Sequence, residues 1–120
     1  MKKVLLVDDK EEVRLLVQTT LEGSDYEFFS ATNGKEAVEK ALSIKPDLIL
    51  LDVMMPEMDG LDACRQIKSN PETKSVHVIM LTAKGQEADI KKGKECGADD
   101  YFIKPFSPLA LLKKVDEFLK

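Results

Sequence analysis

Three aliphatic runs in this chain each stop on a polar residue. Val4-Leu5-Leu6-Val7 leads into Asp8-Asp9, Leu48-Ile49-Leu50-Leu51 into Asp52, and Val78-Ile79-Met80-Leu81 into Thr82. None alternates apolar with polar positions, so each reads as a strand buried on both faces, as in a parallel sheet covered by helices on both sides. Phe28-Phe29-Ser30-Ala31 and Tyr101-Phe102-Ile103 are weaker strand candidates. Between the runs the apolar spacing becomes helical, first at Val13, Leu16, Val17 and Thr20, then at Ala37, Val38, Ala41 and Leu42. Leu61, Cys64 and Ile67 continue it, followed by Ile90 with Gly93 and Cys96 or Gly97, and then by Leu111, Leu112, Val115, Phe118 and Leu119. Punctuation agrees: Gly23 follows the first stripe, Asn33-Gly34 opens the second, Asp59-Gly60 turns into the third, Asn70-Pro71 closes it, and Ser107-Pro108 caps the last.

Five alternating βα units call for right-handed crossovers and helices on both faces of the sheet. The expected fold is α/β, a flavodoxin-like (βα)5 three-layer sandwich with parallel strand order 2-1-3-4-5. The 120 residues suffice for one domain, expected over 1–120, and are too few for two. With 43% hydrophobic and 33% charged residues, disordered and collagen-like readings lose support. The net charge of −4 argues against direct nucleic-acid binding by this domain. No apolar run approaches the ~20 residues of a membrane span, and no export signal is visible, so no membrane association and a cytoplasmic location are expected. Cys64 and Cys96 lack CxxC spacing and the chain has one histidine, His77, which disfavours a zinc site.

In such sheets ligands bind at the carboxyl ends of the strands, near the switch between strands one and three. That rule gathers Asp8, Asp9, Asp52, Thr82 and Lys104. Carboxylates held together raise one another's pKa unless a cation offsets them, and oxygen donors without thiolate or imidazole suit Mg²⁺. A hydroxyl at Thr82 and an amine at Lys104 aimed at the same place fit a phosphoryl group. Each residue alone has a plainer reading: Asp8 or Asp9 as a helix cap, Asp52 as a loop acid, Thr82 as a turn cap, Lys104 as a solvated lysine, Tyr101 as a core aromatic. Their joint placement at the ends of different strands favours the chemical reading.

Four segments carry a family resemblance: Val7-Asp8-Asp9, Leu51 to Gly60 (LDVMMPEMDG), Leu81-Thr82-Ala83, and Asp100 to Phe106 (DYFIKPF). In order and spacing the chain resembles the receiver domain of bacterial two-component response regulators, in the single-domain form of chemotaxis regulators. The resemblance implies that Asp52 accepts a phosphoryl group from the phosphohistidine of a sensor histidine kinase or phosphotransfer protein. It makes Asp8, Asp9, Asp52 and the backbone carbonyl of Met54 the Mg²⁺ ligands, and gives Lys104 the phosphoryl oxygens. Thr82 and Tyr101 become a switch pair that couples the acids to the surface of helix four, strand five and helix five, where a downstream output protein or domain docks. Met54 and Lys84 fall at positions that tune the hydrolytic water; neither suits that task, so slow dephosphorylation is expected. The protein is then a signalling device, not an enzyme toward other molecules, although it catalyses its own phosphorylation and dephosphorylation. Phosphorylation-dependent dimerisation stays open.

Lys10 departs from the acidic or small polar residue common at its position, and its ammonium softens the pocket's negative charge. The rival readings are an aspartate-dependent phosphatase, although Asp8 lacks the second aspartate two residues on, and a phosphate-independent module that keeps only the receiver shape. If the chain is complete, its output lies in a separate protein.

Overall fold

The computed structural model describes residues 1–53, 55, 59–83, 88–104 and 106–119, without the side chains of 88 and 89. Strands β1 (Lys2–Val7), β2 (Tyr26–Ala31), β3 (Leu48–Asp52), β4 (His77–Ala83) and β5 (Asp100–Lys104) alternate with helices α1 (Glu11–Leu21), α2 (Gly34–Ile44), α3 (Gly60–Ser69), α4 (Ala88–Glu95) and α5 (Pro108–Leu119). All neighbouring strands pair in parallel, in the order β2-β1-β3-β4-β5. The flavodoxin-like architecture expected from the apolar runs is therefore the one observed.

Side-chain alternation along the strands divides the core in two. Leu5, Val7, Ile49, Leu51, Val78 and Met80 point toward α2 and α3, where they meet Ala37, Ala41, Ala63, Cys64 and Ile67. Val4, Leu6, Leu48, Leu50, Ile79 and Leu81 point the other way, onto Val17 and Leu21 of α1 and Leu111, Val115 and Leu119 of α5. The central strands are covered on both sides, which is why their sequence does not alternate. Leu16 differs from its expected inward position: the stripe of α1 centres on Val17 and Leu21, and Leu16, about 100° around the helix from Val17, is 36% exposed.

The helix ends follow their local chemistry. Asn33 caps α2 by accepting the Glu36 N–H at 2.8 Å, Asp59 caps α3 by accepting that of Asp62 at 2.9 Å, and Ser107 caps α5 by accepting that of Ala110 at 3.1 Å. Pro108 takes the first position of α5, where no N–H is needed. Gly23, just after α1, has φ +80°, a left-handed turn that glycine adopts without cost. Lys45 ends α2 in the same region, with φ 54° and no glycine to ease it. Among the described residues, no helix is long and apolar enough to cross a membrane.

Tyr26, at the start of β2, donates its hydroxyl hydrogen bond to Asp116 of α5 and so ties an edge strand to the last helix. Burial, and then the Asp116 carboxylate, raise the Tyr26 phenol above its ordinary value of 10.0. A phenol raised in the folded state supplies stability that is complete below about pH 10 and is lost as the pH climbs toward the folded-state value. Tyr26→Phe is expected to lower stability at pH 7 by about 1 kcal/mol. Above about pH 10 the gap to the parent should narrow in urea unfolding, and a constant gap across the alkaline range would contradict the assignment.

Candidate functional site

Strand parity and register place the polar residues. Asp8 continues the Val4-Leu6 series of β1, Asp52 the Leu48-Leu50 series of β3, and Lys104 the Phe102 series of β5, so all three belong to the α1/α5 side of the sheet at its carboxyl edge. The main chain of Asp8 is fixed on both sides: its N–H donates to Ala31 O at 3.1 Å, and its carbonyl accepts from Arg14 Nη1 at 2.9 Å. Asp8 is fully buried and Asp52 nearly so, whereas Asp9, of opposite parity, reaches solvent.

Lys104 joins the two buried acids. Its ammonium lies 2.6 Å from Asp8 Oδ2 and 3.4 Å from Asp52 Oδ1, with the lysine side chain itself 18% exposed. Asp8 Oδ1 accepts the Lys10 N–H at 2.9 Å, so both Asp8 oxygens are engaged. The expected helix cap thus takes another form: Lys10 is the capping residue of α1 and makes no side-chain cap, while Asp8 holds its N–H from two positions upstream. Carboxylate oxygens of Asp8, Asp9 and Asp52 lie within 4.8 Å of one another. Three hard oxygen donors at that spacing match the preference of Mg²⁺ for a few carboxylates plus solvent.

Thr82 is buried and its Oγ1 has no hydrogen-bond partner among the described residues. A buried hydroxyl left without a partner costs about 1–3 kcal/mol. Thr82 shares the parity of Met80, which pairs in register with Tyr101. The Tyr101 ring is half-buried against the α2/α3 core cluster, with the Lys94 ammonium 6.0 Å from its centre. Met54 and Lys84, expected at the site from the sequence, lie outside the described residues.

Two contributors were not singled out by sequence reasoning. Arg14, six residues after Asp8, reaches back from α1 to the Asp8 carbonyl; a cation in the first turns of the helix was its only signal. The sequence places Gly60 in the turn into α3, and what it answers there is a steric demand. A Cβ there would sit 2.1 Å from the Asp52 carbonyl oxygen, and the Gly60 N–H donates to Val53 O at 3.0 Å. The start of α3 therefore presses directly on the main chain that carries Asp52. The thiols stand apart: Cys64 Sγ contacts Cys96 O at 3.7 Å, and burial, with Cys96 beside it, pushes the Cys64 thiol up to about 12, leaving it protonated at neutral pH.

A family model described as response regulator receiver domain matches residues 4–116. The transcriptional regulatory protein ResD of Bacillus subtilis is 48% identical over 118 residues, which are 98% of this chain and 48% of that protein. The chain spans about half the length of the curated relatives it matches. Among solved structures, a putative response regulator from Chloroflexus aurantiacus superposes with TM-score 0.92 at 36% identity, covering 98% of this chain and 97% of that one. The receiver domain of sensor histidine kinase PA1611 from Pseudomonas aeruginosa, solved with a magnesium ion in its active-site cleft, gives TM-score 0.89 at 28% identity, covering 98% and 97%.

The close approach of Gly60 generates a test. Gly60→Ala must displace α3 from the end of β3, and a stability loss of at least about 2 kcal/mol is expected in chemical denaturation. A loss below about 0.5 kcal/mol, the range of neutral surface changes, would show that the contact is not binding on the fold.

Proposed function

The chain belongs to the response regulator receiver domain family of two-component systems, and from that premise we propose that it accepts a phosphoryl group from a phosphohistidine of a sensor kinase or phosphotransfer protein onto Asp52. The receiver reading is taken to extend over residues 1–120. The observation that carries the proposal is the Lys104 ammonium held between Asp8 and Asp52, with Asp9 completing a triad of oxygen donors.

Asp8, Asp9 and Asp52 would hold Mg²⁺, with the Met54 carbonyl as a further ligand by family likeness. When bound, Mg²⁺ supplies positive charge that offsets the carboxylates and the oxygens of the moving group. An Asp52 carboxylate oxygen forms a bond to phosphorus while the bond from phosphorus to the donor imidazole breaks, the imidazole keeping the electron pair. Such transfers pass through a loose transition state, so Asp52 needs placement more than basicity. Burial, the β3 register and the pressure of Gly60 provide that placement. Lys104 moves its interaction from the acids to the phosphoryl oxygens, where a charge-assisted hydrogen bond is strongest.

The Thr82 hydroxyl, without a partner among the described residues, then gains an acceptor in the new dianion. Its motion toward Asp52 opens space that the Tyr101 ring fills, and the surface formed by α4, β5 and α5 changes. Differential contact with that surface transmits the signal to an output domain or protein. The role is that of a cytoplasmic signalling protein that catalyses only its own phosphorylation and dephosphorylation.

Incubation with a small acyl phosphate and Mg²⁺, followed by intact mass, tests the acceptor. One phosphoryl adduct is expected on the parent and none on Asp52→Asn, while Thr82→Ala takes up the adduct without the shift of Tyr101 ring resonances seen in the parent. No adduct on the parent, or an equal adduct on Asp52→Asn, would overturn the proposal.

A further inference from the structure

We propose that Lys10 sets the affinity of the acid pocket for its divalent cation, an inference that rests on the metal-site reading above. The three acids are not equally open. The side chains of Asp8 and Asp52 are 0% and 5% exposed and share Lys104, whereas that of Asp9 is 35% exposed and stands at the mouth. A hydrated cation entering the pocket therefore meets Asp9 first.

The Lys10 ammonium already lies 3.8 Å from Asp9 Oδ1. Its main chain is held at both ends, the N–H donating to Asp8 Oδ1 at 2.9 Å and the carbonyl accepting the Arg14 N–H at 3.2 Å in the first turn of α1, so the side chain springs from a fixed point beside Asp9. Lys10 thus acts as an internal counter-ion that the cation must displace from Asp9, and it repels whatever divalent charge takes its place. With the lysine half-exposed, the interaction is screened by water and salt. A unit charge facing a divalent one at about 6 Å in water changes affinity about tenfold without salt, and about threefold at physiological ionic strength. Among the described residues, Arg14 and Lys104 also bear on Asp8, Glu11 and Glu12 lie in the first turn of α1, and all four stay constant when Lys10 alone is changed.

Mg²⁺ titrations of the unphosphorylated chain, followed by amide shifts or calorimetry, provide the test. At low salt Lys10→Gln is expected to bind Mg²⁺ about three- to tenfold more tightly than the parent. Lys10→Arg, which keeps the charge, should bind as the parent does, and the advantage of Lys10→Gln should shrink as KCl is raised to about 0.5 M. Equal affinity of parent and Lys10→Gln would overturn the role of Lys10 while leaving the metal site in place. No saturable binding by any of the three chains would remove the metal site, and this inference with it.

Discussion

The contact on which the rest of this structure depends is the ammonium of Lys104 between the carboxylates of Asp8 and Asp52. Two acids this deeply buried repel each other and lose their hydration, and neither cost is tolerable without a cation in the same low-dielectric space. Lys104 supplies that cation from the edge strand β5, on the same face of the sheet, across β4 from Asp52 and across both β3 and β4 from Asp8. A buried ion pair of this kind is weak evidence for stability, because desolvation offsets much of the attraction, yet removing one partner costs about 3–5 kcal/mol. What the arrangement provides is a set of opposite charges assembled at one edge of the sheet.

The frame that assembles them is made of ordinary elements. Strand register sets Asp8, Asp52 and Lys104 at one edge, and parity turns them toward the same side. Gly60 lets α3 begin against the Asp52 carbonyl, and Arg14 and Ala31 fix the main chain of Asp8. Because Asp52 sits at the end of a fully buried strand, its position is determined by the core, while Asp9 and Lys10 at the mouth remain adjustable. The site is therefore rigid at Asp52 and open to solvent at Asp9 and Lys10.

Much of this was legible in the residues. Val4 to Val7, Leu48 to Leu51 and Val78 to Leu81 announced buried parallel strands because both of their faces are covered, and the acids that follow them marked the functional edge. Asn33, Ser107 and Pro108 announced helix starts through side-chain chemistry that acts over three residues. What could not be read were contacts set by tertiary approach. Nothing local says that Gly60 abuts Asp52 O or that Arg14 reaches the Asp8 carbonyl, and nothing in the spacing of Leu16 says that α1 rolls it toward solvent. The Thr82 hydroxyl carried a recognisable position, but its lack of a partner among the described residues is a property of the packed interior alone.

The claim that charge compensation by Lys104 holds the acids together is tested most directly by thermal unfolding of the parent and Lys104→Met with and without Mg²⁺. The variant should unfold at a lower temperature than the parent in metal-free buffer, and Mg²⁺ should raise its midpoint by more than it raises that of the parent, because the metal supplies the charge that is missing. Equal shifts in the two proteins, or a variant as stable as the parent without metal, would contradict the account.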